Sequence, residues 1–169
     1  MFRFGTVLLC ALTTACASSG AVPSPFPRPD RGTDRSQAAP PRAIGTAGGA
    51  GYAIAGTALG LRGAPYRNGG NDPSGFDCSG FVWYVFAQHG IGLPRTVTEQ
   101  FQSGNEIDAK ALQPGDLVFF RTTGGSVSHV GMAIGGDEFV HAPSSRGEVR
   151  VERLTSTYWQ PRFAGARRY

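Results

Sequence analysis

Gly75-Phe76-Asp77-Cys78-Ser79-Gly80-Phe81-Val82 is the stretch on which the fold turns. A glycine-rich loop, Asn68 to Gly75, delivers the chain to it. Behind Cys78, residues Phe81, Val82, Val85 and Phe86 recur at one-face spacing, which predicts a helix from about Cys78 to Gln88. Asp77 fits the N-cap of that helix and puts Cys78 in its first turn. A thiol there meets unpaired backbone N–H groups and the positive end of the helix dipole. Both favour the thiolate, which is the nucleophilic form. The Asp77 carboxylate works the other way, so the sequence leaves the net effect on the thiol open.

Working outward, the 169 residues suit one modest domain. The net charge of +4 is carried by arginine, since Lys110 is the only lysine. A basic surface suits anionic partners such as nucleic acid, lipid head groups or cell-wall polymer. The arginines are scattered rather than gathered into a stripe, and nucleic acid is set aside on that ground.

The first residues read as a targeting segment. Met1 to Phe4 is a short, weakly positive start, Gly5 to Leu12 is apolar, and small residues follow up to Cys16. That pattern predicts a secretory signal over residues 1–15, too short to span a membrane. Thr13-Thr14-Ala15-Cys16 resembles the lipobox of bacterial lipoproteins, in which the cysteine is lipidated and becomes the new first residue. Leu12 sits one place early and Thr13 stands where an aliphatic residue is usual; an ordinary signal cleaved near Ala15 or Ala17 is the alternative. Ala17 is not the aspartate that, by resemblance, retains lipoproteins at the inner membrane. If the source is a diderm bacterium, the expected location is therefore the cell envelope, as an outer-membrane lipoprotein facing the periplasm.

The cysteine count then becomes informative. Cys10 leaves with the signal and Cys16 carries lipid, so Cys78 stands alone in an oxidising compartment with no disulfide partner. A buried, inert cysteine is the plain alternative. The glycine-rich approach and the helix-start position favour a chemical role.

Residues 16–49 are rich in Pro, Ala, Ser, Gly and Arg with little periodicity. They cannot bury enough apolar surface to offset chain entropy and read as a disordered tether. The domain is expected over residues 50–169, with a first helix beginning near Gly51 and ending at Arg62-Gly63. The Thr96-x-x-Glu99 pattern is a capping box that opens a short helix to about Gln102. Gln113-Pro114-Gly115-Asp116 has the residues of a type II turn. Strands are expected at Leu117 to Phe120, His129 to Ile134, Glu138 to Ala142, Val149 to Leu154 and Phe163 to Arg168, with a short turn or helix at Tyr158-Trp159. Helices first and strands after predict an α+β domain with a mainly antiparallel sheet.

A cysteine nucleophile needs a base, and the base needs an orienting group. The chain has three histidines. His89 lies at the far end of the predicted helix, about 16 Å from Cys78 at the standard rise per residue, and is out of reach. His129 and His141 remain, on adjacent predicted strands; each alone reads more readily as a structural histidine, and their pairing on one hairpin beside a lone helix-start cysteine reverses that. They share a face only if odd residues pair with odd. A three-residue loop, Gly135-Gly136-Asp137, would pair Ile134 with Glu138 and Gly131 with His141. His129 is then a diagonal neighbour of His141, about 7–8 Å away between backbones. A two-residue loop would put the pair on opposite faces. No Cys/His spacing for a metal is present, so neither metal nor cofactor is expected.

The region from about Tyr52 to Tyr169 resembles the NlpC/P60 family of papain-like cysteine peptidases. The resemblance rests on Pro65-Tyr66-Arg67-Asn68-Gly69-Gly70, the opening stretch around Cys78, Leu93-Pro94-Arg95-Thr96, Leu112 to Phe120, Ser128-His129-Val130-Gly131, Val140-His141-Ala142 and Gly165-Ala166-Arg167-Arg168, in family order. It implies a nucleophile helix packed on an antiparallel sheet, with Cys78 as nucleophile, His129 as base and His141 as third polar residue. It also implies that Tyr66, Asp77 and Ser79 lie at the substrate cleft. The implied activity is hydrolysis of peptidoglycan stem peptides, typically at the bond from γ-D-glutamate to a diamino acid; a monomer is expected, anchored to the membrane through the lipid on Cys16. Asn68 departs from the pattern: many members carry an aromatic residue there, which bears on the cleft wall and substrate preference. The rivals are an amidase or acyltransferase on the same fold, told apart by the product, and an inactive wall-binding lipoprotein.

Overall fold

The computed structural model describes residues 47–169. The signal over residues 1–15, the lipobox with Cys16 and most of the expected tether lie outside the described residues. Helix α1 (Ala47–Gly60) begins four residues before Gly51, so residues 47–49, assigned above to the tether, are helical. A small antiparallel hairpin follows, β1 (Asn71–Asp72) with β2 (Gly75–Phe76). It leads directly into α2 (Cys78–Gln88), which has the predicted bounds. Phe81, Val82, Val85 and Phe86 are its buried face. The predicted capping box opens α3 (Val97–Ser103): the Thr96 hydroxyl accepts from the Glu99 N–H, and the Glu99 side chain answers to the Thr96 backbone.

Six strands complete the domain: β3 (Asn105–Ile107), β4 (Leu117–Phe120), β5 (His129–Gly135), β6 (Glu138–His141), β7 (Arg150–Arg153) and β8 (Phe163–Arg168). They form one sheet in the order β3-β8-β4-β5-β6-β7, antiparallel throughout. The α+β expectation therefore holds. Helix α2 packs across β5. β4 is buried at every residue because the sheet is covered on both faces. Leu117 and Phe119 join Val130, Met132 and Val140 beneath the helices, whereas Val118 and Phe120 join Ala133, Phe139 and Trp159 on the other face. The turn into β4 is the one expected: Gly115 has a positive φ of 92°, and the Asp116 N–H donates to the Gln113 carbonyl at 3.1 Å.

The β5–β6 hairpin reaches the expected pairing by a different route. Gly135, not Ile134, pairs with Glu138, which leaves a two-residue loop of Gly136 and Asp137. Alone, that loop would send His129 and His141 to opposite faces. The register shifts between Ala133 and Gly135, so Ile134 is an extra, bulged residue. Below the bulge Ala133 pairs with Phe139 and Met132 with Val140, odd with odd and even with even. The two histidines therefore share a face. It is the face of Phe120 and Phe139, away from the helices.

Gly131 is what lets them approach. A Cβ at this position would lie 2.6 Å from the Phe139 ring and 3.0 Å from the His141 Cβ. Both neighbours are fully buried and cannot retreat freely. Gly131→Ala is expected to lower stability by about 1–3 kcal/mol and to displace the His141 ring, read as a lower urea midpoint and a shifted His141 imidazole resonance. An unchanged midpoint and resonance would show that the sheet absorbs the methyl and that Gly131 sets nothing.

Candidate active site

The head of α2 is built around one carboxylate. Asp77, extended at φ −89° and ψ 175°, caps the helix by accepting from the Gly80 N–H at 2.6 Å. Arg95, from the loop before α3, donates to both Asp77 oxygens, at 2.9 Å and 2.6 Å. The same guanidinium donates to the Ser79 hydroxyl at 2.9 Å and to the Gly70 carbonyl at 3.2 Å. Gly80 makes this closeness possible, since a Cβ there would lie 2.0 Å from the Gly70 oxygen. The polar atoms of Asp77 and Ser79, both expected at the substrate cleft, are thus already engaged with Arg95. Tyr66 is half-buried, and its phenol is raised above its ordinary value by burial and by the neighbouring Cys78 and Asp77. Arg95 belongs to the Leu93-Pro94-Arg95-Thr96 motif, but its partner Asp77 lies 18 positions away, and no local pattern in the sequence joins the two.

Cys78 is half-buried, and the opposition noted in the sequence resolves against the thiolate. Burial pushes the thiol up to about 11, and the Asp77 carboxylate adds to the rise. The N–H groups of Val130, Ser79 and Cys78 itself pull the other way without prevailing. The Val130 contact fixes position as well as charge: it sets the sulfur against the residue that follows His129, at the start of β5.

His129 and His141 meet as predicted. Nε2 of His129 lies 2.8 Å from Nδ1 of His141, with the rings nearly perpendicular at 86°. Trp159 stacks on His129, centroids 5.3 Å apart, and meets His141 edge-on at 5.0 Å. Phe120 and Phe139 close the box. Burial lowers His129 to about 4; His141 is lowered further by burial, by His129 and by Arg150. Both rings are neutral at neutral pH. His89 is elsewhere, at the C-cap of α2, with Nε2 2.8 Å from the Thr57 hydroxyl. Trp159 was not anticipated at the site.

The chemical capacity follows from tautomers. A proton on Nε2 of His129, donated to Nδ1 of His141, leaves a lone pair on Nδ1 of His129. The site then holds a neutral thiol, a neutral base and an orienting ring, the parts of a nucleophilic triad.

The model of the NlpC/P60 family matches residues 63–168, more than half of the chain. The chain is 42% identical over 111 residues to the murein DD-endopeptidase MepH of Escherichia coli strain K12, covering 63% of this chain and 41% of that protein. It is 40% identical over 109 residues to the γ-D-glutamyl-L-lysine dipeptidyl-peptidase of Bacillus cereus, covering 63% and 33% respectively. The crystal structure of an NlpC/P60 family protein from Bacillus cereus ATCC 10987 superimposes with a TM-score of 0.67 at 37% identity, covering 70% of this chain and 40% of that one. The matched part thus spans well under two thirds of each of these relatives.

Asp77→Asn tests the electrostatics of the nucleophile. Asparagine still caps α2, but the negative charge that raises the thiol is gone and Arg95 is released beside it. The thiol should fall from about 11, so iodoacetamide should alkylate Cys78 faster at pH 8 than in the parent. Equal rates would mean that desolvation alone sets the thiol.

Proposed function

The chain belongs to the NlpC/P60 family, and from that footing we propose that residues 50–169 form a cysteine peptidase that hydrolyses the peptide stems of bacterial peptidoglycan. The observation that carries this reading is the 2.8 Å bond between His129 and His141 at the end of β5, where the Val130 N–H lies against the Cys78 sulfur.

The reaction is acyl transfer. Nδ1 of His129 takes the Cys78 proton as the sulfur attacks the amide carbonyl. Because the thiol is raised and the imidazole lowered, proton transfer accompanies attack rather than preceding it as a stored ion pair. The backbone N–H at the head of α2, that of Cys78 included, receives the oxyanion. The His129 imidazolium then protonates the leaving amine, and water, deprotonated by the same ring, clears the thioester. His141 holds His129 in the tautomer that keeps Nδ1 free. Tyr66 lines the cleft, and Asp77 and Ser79 act there through Arg95, whose side chain remains 36% exposed.

The bond we assign is that from γ-D-glutamate to diaminopimelate. It agrees with the name of the Bacillus cereus relative, a γ-D-glutamyl-L-lysine dipeptidyl-peptidase. The name of the Escherichia coli relative, a DD-endopeptidase, favours a second reading, cleavage between cross-linked stems. Incubation with purified peptidoglycan and mass spectrometry of the products decides between them and excludes acyl transfer to another amine. Loss of all products from Cys78→Ala is expected; retained hydrolysis would end the mechanism.

The two histidines should separate by rate. His129→Ala removes the base and should cost about 10²–10⁴-fold. His141→Asn keeps a neutral polar partner and should retain more activity than His141→Ala, with both above His129→Ala. A His141→Ala variant with parental rates would hand the orienting role to another residue. As to place, we propose an outer-membrane lipoprotein, anchored through Cys16 and acting as a monomer at the end of its tether. Cys16→Ser should move the protein from the membrane to the soluble exported fraction; an unmoved membrane fraction would remove the anchor.

A further inference from the structure

The relay does not stop at His141. If Nδ1 of His141 accepts from His129, its own proton sits on Nε2. That nitrogen is fully buried and has no hydrogen-bond partner among the described residues. An N–H left so is costly, by about 1–3 kcal/mol. It faces the carboxylate of Glu152, with Oε2 3.9 Å away. β7 brings the two together: Arg150 pairs with His141 and Glu152 with Phe139, so all four side chains lie on one face of the sheet. Glu152 is not loose there. The indole N–H of Trp159 donates to the same Oε2, and Arg150 Nε stands 3.4 Å from Oε1. Trp159 is itself the ring stacked on His129. One tryptophan thus packs the base and aims the carboxylate behind it.

We propose that Glu152, aimed by Trp159, is a positioning residue of the relay: it selects the His141 tautomer with the proton on Nε2 and offsets the charge that arrives on His129. The inference rests on His129 acting as base. One proton moves, from the Cys78 sulfur to Nδ1 of His129; none passes to Glu152. As positive charge develops on His129, the His129–His141 bond tightens, the His141 Nε2–H gains polarity, and the 3.9 Å gap is what closes. Several groups bear on the two rings. Cys78, with Asp77 behind it, comes from α2, and Arg150 and Glu152 come from β7, while β4 and the segment before β8 offer the uncharged Phe120 and Trp159. Arg150 opposes a protonated histidine; Glu152 favours one.

Glu152→Gln removes the charge and keeps an oxygen for Trp159. The expected result on wall peptides is a fall in kcat of roughly 10–100-fold, the scale known for carboxylates behind metal-bound histidines, with KM little changed. The acidic limb of kcat/KM should move to lower pH, because His129 without the carboxylate is harder to protonate. Glu152→Asp should lose less kcat and leave the limb in place. A purely structural role would lower the urea midpoint and leave the limb of the folded enzyme unmoved. Parental kcat and limb in folded Glu152→Gln would overturn the proposal. So would recovery of parental kcat in the Arg150→Gln/Glu152→Gln double variant, since Glu152 would then merely cancel Arg150. If Glu152→Gln does not fold, Glu152→Asp decides alone: reduced kcat at steady KM supports the role, and parental kcat ends it. If the parent itself leaves wall peptides intact, the functional reading fails separately. The relay is then judged on iodoacetamide alkylation of Cys78 near neutral pH, expected in the order parent, Glu152→Asp, Glu152→Gln; equal rates would overturn it.

Discussion

The bond between His129 and His141 can form on one parity of one hairpin, and much of the domain serves that condition. Both imidazoles are enclosed by Phe120, Phe139 and Trp159. In such surroundings a ring nitrogen without a partner is a standing cost. Pairing the rings with each other removes two of the four open nitrogens at once. The pairing requires the extra residue at Ile134, because the two-residue tip would otherwise turn His129 to the helix side. It also requires Gly131, the one residue type that leaves His141 its place. The enclosure that makes the bond necessary lowers the basicity of both rings. It therefore favours the neutral form of His129 that the proposed base role requires.

A second constraint sits at Asp77, where helix stability and nucleophile chemistry pull in opposite directions. A carboxylate at a helix N-terminus is favourable to the helix. Beside a thiol it disfavours the thiolate, and here it does so on top of desolvation. Arg95 compensates the charge without abolishing it, since both Asp77 oxygens accept from its guanidinium. Desolvation and the carboxylate both raise the thiol, so the proton is favoured on the sulfur. A protonated thiol is also the less oxidisable form, which suits an unpaired cysteine.

Much of this was legible in the sequence wherever the signal was local. The bounds of α2, its Asp77 cap, the capping box at Thr96 and Glu99, and the turn at Pro114-Gly115 all depend on residues within four positions of one another. β4 announced itself by four consecutive apolar residues. The bulge did not: Ile134 is extra only in relation to what β6 pairs with, and nothing in Gly135-Gly136-Asp137 distinguishes a three-residue loop from a shorter loop with a bulge. The expected face is reached through a bulge at Ile134 and a two-residue loop in place of a three-residue loop. The short pairs at Asn71 and Phe76 and at Asn105 and Arg168 were missed because two or three residues carry no periodicity. Arg95, Glu152 and Trp159 escaped because their partners lie at other places in the chain. A lone Arg, Glu or Trp reads as surface or core until the fold supplies the neighbour. The net pull on Cys78 was undecidable for the same reason, since desolvation, its largest contributor, is a property of packing.

The sheet has two covered faces, and the groups proposed to react come from different ones. Cys78 belongs to the helix layer with Val130 and Met132, whereas His129 and His141 lie with Phe120 and Phe139 beneath Trp159. Groups on opposite sides of a sheet can meet only around the end of a strand. The end in question is where the chain enters β5, and His129 is its first residue. The preceding loop must therefore be held firmly at its base, whatever its tip does. Ser128 does this. Its N–H donates to the Phe120 carbonyl at 3.0 Å, and its hydroxyl accepts from the N–H groups of Thr122 and Thr123 at 2.9 Å and 3.1 Å. The exposed residues 123–126 can then vary in length and composition without moving His129, because the strand entrance is pinned one residue ahead of it. The position of His129 is thus decoupled from the tip of the loop that precedes it.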